Sequence, residues 1–170
     1  MRALGTALLG ATLLVGCAAD AAAPPPGAGC GDSKLASSFA RVDAKAGESH
    51  LLRIRQLTDG GASAEPSWSF DGRSLIFRST RDGAGCDRVF TLDLETGEVA
   101  QLTYTGRAAC AAYLPDSERV LFASTQGDGG ACPPEPDTSE GDVWPIHASY
   151  DVYTAERDGS GVVNIPNRPG

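Results

Sequence analysis

The stretch WSFDGRSLIF at residues 68–77 returns as YLPDSERVLF at residues 113–122, and the offset between the copies is a constant 45. Trp68 aligns with Tyr113, Asp71 with Asp116, and Leu75-Ile76-Phe77 with Val120-Leu121-Phe122. The register extends to Leu57-Thr58 with Leu102-Thr103, and to Ser79-Thr80 with Ser124-Thr125. Self-similarity at a fixed period of this size marks a repeat architecture, in which each copy is one supersecondary unit that needs its neighbour. Further along, the offset changes. FTLDLETG at 90–97 aligns with YTAERDGS at 153–160, now 63 residues on, so the second copy carries 18 additional residues. They fall within 126–149 (QGDGGACPPEPDTSEGDVWPIHAS), whose Pro and Gly density is that of a long surface loop.

Each copy reads as four short strands. In the first copy these are 64–69, 75–79, 89–94 and 99–103, separated by Phe70-Asp71-Gly72, the loop 81–85 and Glu95-Thr96-Gly97-Glu98. Asp-Gly and Thr-Gly at these places have a physical reason, because glycine supplies the positive φ that tight hairpins require. Four strands in a period of about 40–45 residues is the pattern of a β-propeller blade. The expected fold class is all-β, with blade one at about 59–103 and blade two at about 104–166.

Residues 48–170 resemble the TolB-like propeller repeat. The resemblance is carried by Gln56-Leu57-Thr58, then Pro66-Ser67-Trp68-Ser69-Phe70-Asp71-Gly72-Arg73, Leu75-Ile76-Phe77, Ser79 and Arg81-Asp82-Gly83. Phe70 stands where the family prefers proline. Leu114-Pro115-Asp116-Ser117 keeps the proline and loses the glycine, and Arg157-Asp158-Gly159-Ser160 resembles the family's closing turn. The resemblance implies about two four-stranded blades of a six-bladed ring. Two blades cannot close a ring, so the chain is expected to continue past residue 170. Segment 48–58 (ESHLLRIRQLT) resembles the strand that an N-terminus contributes to the last blade, and here it would lack a complete partner.

The N-terminus predicts export. Met1-Arg2 precedes an apolar run over residues 3–15, shorter than the roughly 20 apolar residues a membrane-spanning helix needs. The run ends in Leu14-Val15-Gly16-Cys17, which resembles the bacterial lipobox, with Cys17 the acylated residue. Residues 1–16 are then a lipoprotein signal peptide, 17–33 an Ala/Pro-rich tether, and 34–170 the partial propeller. Ala18 after the cysteine leans towards the outer membrane, facing the periplasm. The net charge of −8 excludes a basic stripe for nucleic acid, and it leaves membrane attachment to the lipid anchor alone.

Export permits disulfides. With Cys17 set aside, Cys30, Cys86, Cys110 and Cys132 remain, and three full pairings are possible. In blade topology the loop between the second and third strands shares a face with the connection between blades. That placement gathers Cys86, Cys110 and Cys132, so a disulfide is expected among them, with the third thiol free or paired with Cys30. No metal is expected. His147 lacks a ligand partner at a recognisable spacing, and the loop carboxylates Asp128, Glu135, Asp137, Glu140 and Asp142 lack the regular calcium-loop pattern. Trp144, Asp137 and Asp142 are the binding-loop candidates. Trp68 and Tyr113 are read as packing between blades, and Arg81-Asp82 and Arg157-Asp158 as turn residues bonded locally.

No catalytic constellation stands out. There is no G-x-S-x-G elbow, no phosphate-binding glycine loop before a helix, and neither His50 nor His147 has a nucleophile at a known spacing. The expectation is a non-enzymatic envelope lipoprotein without cofactor, whose propeller binds an envelope protein or a cell-wall component. The alternative is the N-terminal gating propeller of a serine peptidase whose hydrolase domain lies beyond residue 170.

Overall fold

The computed structural model describes residues 35–115, 118–137, 139–141, 143 and 146–165, and among these there are strands and turns but no helix. Ten strands form: β1 (Ala40–Val42), β2 (Ile54–Gln56), β3 (Ser63–Trp68), β4 (Ser74–Ser79), β5 (Arg88–Asp93), β6 (Val99–Gln101), β7 (Ala108–Tyr113), β8 (Arg119–Ser124), β9 (Asp151–Glu156) and β10 (Val163–Asn164). They make two four-stranded antiparallel meanders, β3-β4-β5-β6 and β7-β8-β9-β10, with β1 and β2 as a separate ribbon. The fold is all-β and propeller-like, as two consecutive blades. Segment 48–58 differs from its expectation: three of its residues pair with Ala40–Val42, a partner not foreseen from the sequence.

The pleat explains how the blades stack. Along β4, Leu75 and Phe77 point to one side and Ile76 to the other. The first side joins Phe90 and Leu92 in a cluster closed by Ala36 and Phe39. The second side, Ile76 with Val89 and Leu102, meets Tyr113, Val120, Phe122 and Tyr153 of the next blade. β4 is therefore buried almost continuously, whereas β8 alternates buried and half-buried residues, as a sheet covered on one face should. The repeat equivalents stack alike, with Phe77 and Phe90 centroids 6.0 Å apart and Phe122 and Tyr153 5.8 Å apart.

Trp68 departs from its expectation. Its equivalent Tyr113 is buried between the blades, but Trp68 is 59% exposed, because no blade precedes β3 among the described residues. Arg157 departs as well. It reaches across the blade interface, donating from Nη2 to Ser74 Oγ at 2.6 Å, with its guanidinium 5.1 Å above the Tyr113 ring. Arg81 keeps its local partner, with Nε 3.7 Å from Asp82 Oδ2, and also donates from Nη2 to the Asp59 carbonyl at 3.0 Å, in a different loop. A long guanidinium finds more acceptors across a packed interface than within its own turn.

The first strand of each meander, β3 and β7, bulges at the same place. The β3/β4 register shifts between Ala64 and Ser67, and the β7/β8 register between Ala109 and Ala112. At each shift one non-glycine residue takes the left-handed region, Glu65 at φ 55° and Cys110 at φ 52°, which are 45 residues apart. A bulge leaves one residue unpaired and bends the strand, and the repeat reproduces it.

Turn chemistry has a measurable consequence at Asp93. Its carboxylate accepts the backbone N–H groups of Thr96 at 2.8 Å and Glu95 at 2.9 Å. These bonds, the Thr96 N–H first, hold the Asp93 carboxyl below its ordinary value of 3.8. A group with a lowered folded-state pKa contributes stability that is full above the unfolded value and fades as pH falls through the folded one. Asp93→Asn keeps an acceptor but cannot titrate. It is expected to flatten the fall of Tm below about pH 4, measured by circular dichroism across a pH series.

Candidate functional site

The 18-residue expansion lies between β8 and β9, and several bonds hold it in place. Cys132 of the loop is disulfide-bonded to Cys86, in the β4–β5 loop of blade one, with Cα atoms 5.7 Å apart. The Gly106 N–H donates to the Gly130 carbonyl at 2.7 Å, and the buried Arg107 guanidinium ion-pairs with Glu135. At the far end the Tyr150 N–H donates to the His147 carbonyl at 3.1 Å, and the two rings stand 5.7 Å apart.

Between this loop and the edge of β9 and β10 runs an open groove of about 1060 Å³, whose walls include Asp128, Pro134, Ile146, His147, Tyr150 and Tyr153. Ile146 is almost fully exposed. Burial pushes the Tyr150 phenol above its ordinary 10.0, so it stays a neutral hydroxyl that can both donate and accept. The walls are mixed, with Asp128, His147, Tyr150 and Asn164 beside Pro134 and Ile146, so the groove offers hydrogen-bonding groups as well as apolar contact.

Of the residues singled out by sequence, Cys17, Cys30, Trp144 and Asp142 lie outside the described residues. Asp137 is described: it is exposed and accepts the Ser139 N–H at 2.9 Å, a local turn bond. Cys86 and Cys132 meet. Cys110 is instead a free thiol inside β7, at the bulge, and not in the connection between blades. Its N–H donates to Glu65 Oε2 at 3.0 Å, and Glu65 and Asp87 both pair with Arg78, at 3.1 and 2.9 Å. Among the described residues no group of three or more His, Cys, Asp or Glu side chains could hold a metal ion.

Two features escaped sequence reasoning. Gly61 and Gly106, 45 residues apart, both have positive φ and both lie against the chain just past the strand that returns beside them, Arg81 after β4 and Thr125-Gln126 after β8, which the repeat offset could have revealed. Arg88, packed on the disulfide, has no repeat signal at all.

No family model matches the chain. It is 35% identical over 65 residues to "Tol-Pal system protein TolB" of Francisella tularensis subsp. mediasiatica (strain FSC147), which covers 38% of this chain and 14% of that protein. It is 30% identical over 101 residues to "Uncharacterized peptidase YuxL" of Bacillus subtilis (strain 168), covering 59% of this chain and 15% of the relative. The chain thus spans about one seventh of the length of these curated relatives. Among solved structures, TolB from Acinetobacter baumannii aligns over 65% of this chain and 23% of its own, at 23% identity and a TM-score of 0.45.

Proposed function

We propose that this chain is part of a cell-envelope lipoprotein, anchored through Cys17, whose TolB-like blades form a non-enzymatic scaffold that binds an envelope protein or a cell-wall component. The observation that carries the reading is the groove beside segment 126–149, because an insertion tied to two neighbouring connections is a wall already in place. A preformed wall avoids much of the ordering cost of binding. The similarity to a Tol-Pal system protein supports an envelope setting, and the lipobox-like Leu14-Val15-Gly16-Cys17 supports the anchor.

A photo-reactive residue placed at Ile146 tests the reading in intact cells. Discrete crosslinked adducts are expected there and not at Glu95, an exposed turn of blade one. Equal labelling at the two positions would remove the groove from consideration.

The peptidase relative favours a second reading, a gating propeller in front of a hydrolase domain lying beyond residue 170. A G-x-S-x-G followed by a later histidine in the downstream reading frame separates the two.

A further inference from the structure

Arg88 opens β5 and is only 8% exposed. Its guanidinium rests on the disulfide, with Nη1 2.8 Å from Cys86 Sγ and Nη2 3.6 Å from Cys132 Sγ. Nη1 also donates to the Asp87 backbone carbonyl at 3.5 Å, while the Asp87 carboxylate pairs with Arg78. Burial pushes the Arg88 pKa down, and the Asp87 charge only partly offsets this. A buried cation costs free energy unless a counter-charge faces it, and disulfide sulfurs are neutral, weak acceptors. A thiolate in the same place would be that counter-charge.

We infer that Cys86–Cys132 is a reducible site, opened by an external dithiol, in which Arg88 holds the departing Cys86 sulfur as a thiolate. Cys86 is 1% exposed and Cys132 is half-buried, so attack falls on Cys132. A thiolate of the dithiol bonds to Cys132 Sγ. The S–S bond breaks, and its electron pair leaves on Cys86 Sγ, against the guanidinium. The reductant's second thiol gives up its proton to solvent and attacks the mixed disulfide, expelling Cys132, which takes a proton from water. The dithiol is oxidised to a disulfide by two electrons, and the chain ends with one thiolate and one thiol. A more stable leaving thiolate leaves faster and makes the bond easier to reduce. The Gly106 carbonyl, 3.5 Å from Cys86 Sγ, would favour a protonated thiol. The contact to a charged donor is the stronger of the two.

Opening this bond frees the insertion from blade one and leaves it held by Gly106 and Arg107. Any effect on binding rests on the groove reading above; the thiol chemistry does not.

The test uses the full chain carrying Cys110→Ser, equilibrated in mixtures of reduced and oxidised dithiothreitol, alkylated and mapped by mass spectrometry. Arg88→Gln is expected to need about a tenfold higher ratio of reduced to oxidised reagent for half-reduction, and Arg88→Lys to stay near the parent. Half-reduction of Arg88→Gln at the parent's ratio, or more easily, overturns the inference. Should the glutamine variant not fold, the parent chain decides by thiolate ultraviolet absorbance. One thiolate per chain is expected after reduction at neutral pH, and its absence refutes the site. Loss of the Ile146 crosslink in both redox states would overturn the binding reading and leave the thiol result untouched.

Discussion

Phe122→Ala is expected to lower the unfolding free energy by about 3–5 kcal/mol, while Val152→Ala costs less than about 1 kcal/mol. Phe122 is 1% exposed and lies at the centre of the interface, stacked on Tyr153 beside Val120 and facing Ile76 and Val89 of blade one. Removing its ring takes away the apolar contact and leaves a void that two stiff sheets cannot collapse to fill. Val152 sits where Val89 sits in the first blade, 63 residues earlier, yet Val89 is 0% exposed and Val152 is 43% exposed. Ile165, the counterpart of the buried Leu102, is likewise 43% exposed. The same repeat position thus carries very different energies, set by whether a second sheet covers it. Urea unfolding followed by tryptophan fluorescence measures both variants. Equal costs would mean that the blades do not pack through Phe122.

Gly106→Ala is the second large effect, at about 3 kcal/mol. Two causes add. The residue has φ +60°, where a Cβ is strained, and an added Cβ would lie 2.6 Å from the backbone nitrogen of Gln126. Backbone cannot swing aside as a side-chain tip can, so β7 or the start of the insertion must move. Gly61 repeats the arrangement against Arg81, at 2.8 Å. Gly72→Ala is the control, with φ +68° and nothing within 4 Å of the added atom. It is expected to cost about 1–2 kcal/mol, from the backbone conformation alone. Differential scanning calorimetry of the variants reads the gap, and a Gly106→Ala midpoint no lower than that of Gly72→Ala would mean the close approach carries no energy.

Much of this fold was legible because its signals are local. Short apolar runs in SLIFRS and RVLFAS place β4 and β8, and Asp-Gly and Thr-Gly place the hairpins, with the first copy's strands within a residue or two of the observed ends. The offsets of 45 and 63 locate the equivalent strands and bracket the insertion. The bulges at Glu65 and Cys110 stayed hidden, since neither residue is glycine and nothing nearby announces a positive φ. Trp68 and Tyr113 share a repeat position and differ in burial, because burial belongs to the neighbouring sheet and not to the residue.

The candidate site divides in the same way. By itself the chain determined where the extra segment sits, between the second and third strands of the second copy, and that cysteines converge near it. Strand period and turn chemistry are properties of a few consecutive residues, so they can be read in order. Only the tertiary structure decided that Cys132 meets Cys86 while Cys110 stays apart, that Arg157 crosses to Ser74, and that Arg88 lies against both sulfurs. Those outcomes depend on distances between residues tens of positions apart, which exist only once one sheet has packed upon another.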